Sequence, residues 1–464
     1  MSNAKNECEP RAGITRRGFL GGVAAGATAL AIVPRHVLGG ARQTAPSERL
    51  NIAGVGMGGQ GTGLIRNFGD HNIVALCDVD ERRAARAYEL FPQAKRYKDF
   101  RRMLEEQKEI DAVVVATTDN LHAPVAMMAM KMGKHVYCEK PLTHTVYEAR
   151  KLAEAAREYK VATQMGNAGQ ASEATRRNAE YLADGAIGPV REVHIWTDRP
   201  LGWWPQGIGR PEGTPPVPST LDWDLWLGPA PERSYHPAYL PFVWRGWRDF
   251  GTGALGDMGC HAFDPVFRAL KLGHPTSVVA SSTELNKETF PLASIVHYQF
   301  PARGDWPAVK LTWYDGGLKP DWPAGLGEGR LGSNGTMFIG DKGVLLGGRR
   351  RVPRILSESR NREYEPPEKT LPRSIGHHAE WIEACKGGEP AGANFEFAGL
   401  VTEVVLLGNI ALRFDERPGK DPSRRSRRPE SMPKLTWDGE SMKVTNLPEA
   451  NEFLHREYRK GWTL

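Results

Sequence analysis

Two short stretches of the sequence hold residue types suited to moving a proton and stabilising a charge at one carbon. In the first, Cys138-Glu139-Lys140-Pro141-Leu142, a lysine ammonium can hydrogen-bond a substrate oxygen and stabilise the alkoxide developing on it. Taken alone, a Glu-Lys pair is most often a solvated surface pair. In the second, Gly251 to His261, Asp257 and His261 stand four residues apart and share one face if the segment is helical. Such a pair can orient an imidazole to take a hydroxyl proton while hydride leaves the same carbon. The competing reading is a helix cap beside a buried histidine. His377 and His378 lack the further ligands a metal site needs, so no metal is expected.

Hydride chemistry needs a carrier. Gly54-Val55-Gly56-Met57-Gly58-Gly59 falls where an apolar strand ends and a helix is due, which is the context a GxGxxG requires. Gly54 permits the tight turn, Gly56 lets the backbone approach a pyrophosphate, and Gly59 allows close helix packing. Asp78, 19 residues after Gly59, follows the next strand, where a carboxylate can accept from ribose hydroxyls and repel a 2′-phosphate. That favours NAD, while Arg82 and Arg83 nearby leave NADP open.

The elements that must position these residues follow from alternating apolar runs. Strands are expected at Leu50 to Val55, Ile73 to Cys77, Ala112 to Ala116, His135 to Cys138 and Val161 to Met165. Helices are expected at Glu81 to Leu90, Phe100 to Gln107, His122 to Met132 and Thr145 to Tyr159. Repeated βαβ units imply a parallel sheet with helices on both faces, an α/β Rossmann domain. Lys140 then falls at the carboxyl edge of a strand, where open α/β sheets bind ligands.

With the glycine turn, the stretch Ala116-Thr117-Thr118-Asp119-Asn120-Leu121-His122, the lead-in Gly133-Lys134-His135-Val136, Glu139-Lys140-Pro141 and Asp257-x-x-x-His261, the chain resembles the Gfo/Idh/MocA oxidoreductases. The resemblance runs from Leu50 to His261. It implies that Lys140 contacts substrate and cofactor, that Glu139 touches the nicotinamide ribose, and that Asp257 and His261 complete the catalytic group with His261 as general base. It also places Thr117, Asn120 and His122 beside the cofactor. Thr118 stands where many relatives have proline.

After Met165 the pattern changes. A helix near Ser172 to Ala183, a strand near Val190 to Thr197, and later strands at Ser277 to Ser281, Ser294 to Phe300, Val309 to Trp313 and Thr336 to Ile339 make a C-terminal α+β domain on a mostly antiparallel sheet. In the resembling family this sheet also serves as an oligomer surface, so a homo-oligomer is expected. Seven of the thirteen tryptophans lie between residues 196 and 247. Aromatic faces stack on sugar C–H faces, and arginines bond hydroxyls. Arg199, Trp203, Trp204, Trp244 and Arg245 are therefore candidate substrate contacts. More than half of these seven tryptophans should nonetheless be packing anchors. Asn167, in the segment leaving the last Rossmann strand, is a further candidate by position. The long helical pattern Phe397 to Phe414 reads as structural.

The remaining sequence narrows the partners. Thr15-Arg16-Arg17-Gly18-Phe19-Leu20, then an apolar run and small residues, reads as a twin-arginine export signal and implies a periplasmic protein. The run Phe19 to Val33 is 15 residues long, too short to span a bilayer, so no stable membrane insertion is expected after processing. The 464 residues carry a formal charge of +6. Residues 1–41 hold five Lys/Arg and two Asp/Glu, which leaves +3 on the rest; that balance argues against a nucleic-acid partner. Five cysteines without a CxxC indicate neither a zinc ribbon nor a disulfide scaffold. Arg424, Arg425, Arg427 and Arg428 read as a solvated loop. The expected division is a signal at 1–41, a Rossmann domain at 42–166 and a substrate and oligomerisation domain at 167–464.

The expected function is an NAD(P)-dependent oxidoreductase transferring a hydride between a secondary alcohol of a sugar, glycoside or cyclitol, a small-molecule carbohydrate or polyol, and a nicotinamide cofactor. NAD is scarce outside the cytoplasm, which raises an alternative: an NAD-dependent glycoside hydrolase that oxidises, eliminates and re-reduces with its cofactor held in place, with Tyr235 or Tyr239 as base. A non-catalytic binder has no evident need for Lys140, Asp257 and His261 together.

Overall fold

A computed structural model describes residues 48–348, 352–414 and 433–464. The twin-arginine stretch, the apolar run Phe19 to Val33 and the arginine cluster at 424–428 lie outside the described residues. Six strands form the first sheet: β1 (Asn51–Val55), β2 (Asn72–Cys77), β3 (Lys95–Tyr97), β4 (Ala112–Val115), β5 (His135–Cys138) and β6 (Thr163–Met165). Their order is β3-β2-β1-β4-β5-β6, and the β1–β4, β4–β5, β5–β6 and β2–β3 ladders are parallel. Helices α1 (Gln60–Ile65), α2 (Glu81–Leu90), α3 (Phe100–Glu106), α4 (Asp119–Lys131) and α5 (Val146–Glu158) alternate with them. All four residues of β4 are buried, as expected for a strand covered on both faces. The strand order reverses between β1 and β4, which opens a crevice at their carboxyl ends.

Local signals explain most boundaries. Asp80 caps α2 by accepting from the Arg82 N–H, and Thr145 with Glu148 forms a capping box on α5. Helix α4 starts at Asp119, three residues before the expected His122, because Thr118 is the extended residue that opens it. The sequence pattern also misses β3, whose Lys95-Arg96-Tyr97 carries no apolar run.

The second sheet has nine strands. β7 (Val190–Trp196), β8 (Ser277–Ser282), β9 (Ser294–Phe300), β10 (Val309–Tyr314), β11 (Gly335–Gly340), β12 (Gly343–Gly347), β13 (Arg354–Ile355), β14 (Leu435–Asp438) and β15 (Lys443–Val444) run in the order β13-β12-β11-β7-β10-β9-β8-β14-β15. Only the β7–β10 ladder in this sheet is parallel among the described residues. Between and after these strands come α6 (Glu173–Ala183), α7 (Trp223–Leu227), α8 (Gly253–Leu270), α9 (Glu358–Glu363), α10 (His377–Cys385) and α11 (Phe395–Arg413). One sheet face packs on α8, where Phe263 meets Tyr298 and Trp313 edge-on. Helix α11 is long and apolar enough to cross a membrane, but it is largely buried and packs on α5 and α8. It therefore ties the two sheets into one core, and α8 is held against the Rossmann layer.

Candidate active site

The glycine turn draws three loops together. Gly56 has φ of +81°, and a Cβ there would lie 2.6 Å from the Ala116 carbonyl, so no side chain fits. Its N–H donates to the Cys77 oxygen at 2.8 Å. Gly59 precedes α1 at φ +54° without a side-chain cap. Gly54 lies within β1, where a Cβ would meet Met57 Sδ at 2.5 Å; its role is packing under the turn. The Asp78 carboxylate accepts from the N–H of Gly58 at 2.8 Å and of Asp80 at 2.9 Å. Burial pushes it up to about 6 against the lowering effect of those bonds. The guanidinium of Arg83 lies over the turn, 3.2 Å from where a Gly59 Cβ would sit. Arg83 lines the cleft and Arg82 does not.

A cavity of about 1000 Å³ runs from this turn to the strand end that carries Lys140. There β5 delivers Glu139 and Lys140, and α8 delivers Asp257 and His261 on one face, as the four-residue spacing predicts. Lys140 Nζ donates to Asp257 Oδ1 at 2.6 Å and to the Asp257 carbonyl at 3.0 Å. Arg245 Nε donates to the same Oδ1 at 3.0 Å. Burial opposes ionisation of Asp257, yet the Lys140 ammonium and the Arg245 guanidinium outweigh it and hold the carboxyl well below the usual range. His261 Nδ1 lies 2.7 Å from Asn167 Oδ1, and Asn167 Nδ2 donates to Asp264 Oδ2 at 2.9 Å and to the Cys260 carbonyl at 3.2 Å. Asp264, fully buried, is in turn gripped by Arg268 Nε at 2.8 Å.

The other sequence candidates divide. Thr117, His122 and Glu139 line the cleft. The neutral His122 ring, pushed down to about 4 by burial, pins the loop after Lys140 through Nδ1 and the Pro141 carbonyl at 2.8 Å. Asn120 corrects the expectation: it is fully buried, donates to the Leu227 carbonyl at 3.0 Å, and does not reach the cleft. Asn167 is likewise buried behind His261 and is no substrate contact, because its amide is spent on His261, Asp264 and Cys260. Arg199, Trp203, Trp204, Trp244 and Arg245 all line the cavity. Trp203 is half exposed with the Arg199 guanidinium 3.5 Å from its ring centre, whereas Trp204 is buried and donates to Gln206. Trp196 and Trp247 are buried packing residues, and Trp226, also buried, lines the cavity.

Sequence reasoning missed Asp119. It lines the cleft, accepts from Thr252 Oγ1 at 2.6 Å, and burial pushes its carboxyl up to about 7. It opens α4 four residues after β4, at the carboxyl edge of the same sheet that carries Lys140 two residues after β5, and that edge position was a usable signal. Among the described residues no cluster of His, Cys, Asp and Glu could hold a metal.

The donor set fits a dinucleotide. A side chain at Gly56 or Gly166 would fill the cradle, since a Cβ on Gly166 would lie 2.7 Å from the Glu139 carboxyl, and Asp78 and Glu139 stand at the two strand ends where ribose hydroxyls need acceptors. Fold and site thus define a nicotinamide-dinucleotide oxidoreductase class of α/β protein. The family comparison makes this specific. Residues 49–167 match the model described as "Oxidoreductase family, NAD-binding Rossmann fold", and residues 180–301 match "Oxidoreductase family, C-terminal alpha/beta domain". The chain belongs to the Gfo/Idh/MocA oxidoreductase family. It is 29% identical over 178 residues to 1,5-anhydro-D-fructose reductase of Ensifer adhaerens, covering 38% of this chain and 41% of the relative. It is 31% identical over 110 residues to inositol 2-dehydrogenase of Salmonella paratyphi B, covering 23% and 32%. The aligned part is therefore less than half the length of these curated relatives. In fold the chain is similar to the WlbA dehydrogenase from Bordetella pertussis, with a TM-score of 0.54 at 17% identity over 80% of this chain and 98% of that one.

Proposed function

We propose that this chain interconverts a secondary alcohol of a sugar, glycoside or cyclitol and the matching ketone with NAD. The observation that carries the reading is the convergence of Lys140, Asp257 and His261 at the end of a cleft that begins at the glycine turn. When bound, the nicotinamide supplies the hydride acceptor or donor. Lys140 donates to the reacting oxygen and stabilises negative charge on it. Asp257, ionised between two cations, fixes the ammonium in place. His261, oriented by Asn167, takes the hydroxyl proton in oxidation and returns it in reduction. Gly56, Gly59, Asp78 and Glu139 hold the dinucleotide. Trp203 offers a half-exposed aromatic face for a sugar ring. The relatives' names, for an inositol and an anhydrofructose, support that substrate class.

The two tyrosines offered as base for the hydrolase alternative do not reach the site: Tyr239 is buried against Trp247 and Phe250, Tyr235 edges Trp223, and neither lines the cleft. Export by the twin-arginine route, supported by residues 15–20, the division at residues 41 and 166, and a homo-oligomer built on the sheet face carrying His194, His297 and Tyr314 belong to the same proposal. Purified protein is to be offered NAD with a panel of polyols and sugars. Growth of reduced-nicotinamide absorbance with at least one of them is expected. Glycoside cleavage without net redox change would instead sink the dehydrogenase reading.

A further inference from the structure

The far end of the cleft is lined by a segment that nothing in the glycine motif anticipates. Residues 459–464 return from the second sheet to the Rossmann layer, and Trp462, 9% exposed, lines the same cavity as Asp78. Its ring lies 6.1 Å from Phe100, and the Arg101 guanidinium sits 4.5 Å from its centre. Arg101 is itself held by Asp99 at 2.7 Å and donates to the Gly461 carbonyl at 3.2 Å. Arg459 ties the segment to α7: Nη2 donates to the Asp224 carbonyl at 2.8 Å, Nε to the Gly228 carbonyl at 3.1 Å, and Nη1 pairs with the Asp224 carboxylate. Helix α7 in turn follows a strand-like contact in which the Asp222 N–H donates to the Val79 carbonyl at 2.8 Å, directly beside Asp78.

Asp78 marks the ribose nearest the adenine, so the wall formed by Trp462 faces the adenosine half of the dinucleotide. A flat aromatic ring is suited to stacking on a base. The segment is held by arginine contacts, the Lys131 bond to the Leu464 carbonyl at 3.0 Å, the Arg459 N–H bond to the Pro229 carbonyl at 3.1 Å and one large buried ring, with no sheet ladder among the described residues. Such an element opens at lower cost than the sheets beneath it. We propose that residues 459–464, with Trp462 as the base-facing side chain, form a latch over the adenosine end of the cleft, and that the dinucleotide leaves only when this latch opens. The inference rests on reading the cleft as a dinucleotide site.

The test is the dissociation rate of NADH, read by stopped-flow fluorescence on displacement with excess NAD, in the full chain and in Trp462→Ala, Trp462→Phe and Asp224→Asn. Trp462→Ala should release NADH about tenfold faster. Trp462→Phe should fall between it and the parent, and Asp224→Asn should release a few-fold faster by loosening the Arg459 tie. Asp224 is exposed, so that variant keeps the question open to decision if Trp462→Ala fails to fold. Equal release rates in all four proteins overturn the latch while leaving the cofactor reading intact. A parent protein that binds no NADH overturns the cofactor reading and the latch with it.

Discussion

Two buried carboxylates in this molecule lie between pairs of cations, and they do different work. Asp257 takes Lys140 and Arg245 on one oxygen, Oδ1. Glu180 on α6 takes Arg177 at 2.7 Å and Arg373 at 2.5 Å, and its Oε1 also accepts the Leu371 N–H at 3.0 Å. In both, the cations hold the carboxyl below its ordinary value, for Glu180 at about 2. The difference is what lies beyond. Asp257 and its partners wall a cavity, whereas the Glu180 pair is covered by the backbone at Pro367 and Leu371. Ion pairing by itself therefore does not identify a site. Its position at the carboxyl end of a parallel strand, open to a cleft, does.

The strongest way to break this comparison is Lys140→Ala. Turnover should fall about a thousandfold or more, since a charged donor to the reacting oxygen is lost. The apo melting temperature should stay close to the parent, because Asp257 keeps Arg245. Steady-state kinetics on the substrate found by the panel, with calorimetry alongside, checks both halves. A variant that melts early while its folded fraction turns over normally would make the cluster structural.

Glu180→Gln is the converse. Breaking a buried pair by removing one partner costs about 3 kcal/mol, with less expected here because Arg373 is partly exposed. Activity per folded molecule should be unchanged. The pH sign is also fixed. Because the folded carboxyl sits at about 2 and an unfolded one at about 4.3, its stabilisation is complete above about pH 4.3 and is lost as pH falls toward 2. Denaturant titrations at pH 3 and 6 should show the gap between parent and variant shrinking at the lower pH.

Asn167→Ala tests whether His261 needs its orienting partner. A misplaced base costs about 10-fold to 100-fold in rate, which should appear in kcat more than in KM. Asn167→Asp, which keeps an oxygen at Nδ1, should recover part of the rate and shift the pH profile. A change in stability alone, with a parental pH profile, would reduce Asn167 to a packing residue.

How much of this was legible depends on the range of each contact. The Rossmann strands and helices were readable because their apolar period and caps are local: β5 falls on its expected residues and α2 on Glu81–Leu90. Lys140 and the Asp257/His261 pair were readable because each motif fixes a strand end or a helix face. Arg245 reaching Asp257, Asp264 steadying Asn167 and Trp462 closing over Phe100 were not, since each joins residues whose approach depends on how α8 and α11 lock the two sheets together. Asn120 was misassigned for the same reason: its motif position suits a cofactor contact, but residues 107 positions away claim its amide.

A third buried carboxylate sharpens the comparison from the other side. Among the described residues Asp78 has no cation in hydrogen-bond contact. Burial raises it to about 6 although two N–H groups bond it. Its charge therefore changes in an accessible pH range, which neither Asp257 nor Glu180 allows. On the proposed function, the ionised carboxylate above pH 6 would accept from ribose hydroxyls and repel a 2′-phosphate. Below pH 6 it is protonated, so NADH should bind several-fold more weakly, in line with a loss of about 1 kcal/mol for one hydrogen bond, while NADPH should bind relatively better with Arg83 beside the turn. Asp78→Asn should carry the low-pH preference at every pH. Titration of the two reduced cofactors between pH 5 and 8 measures this ratio, and a parental ratio that stays flat across that range would mean that Asp78 does not face the ribose.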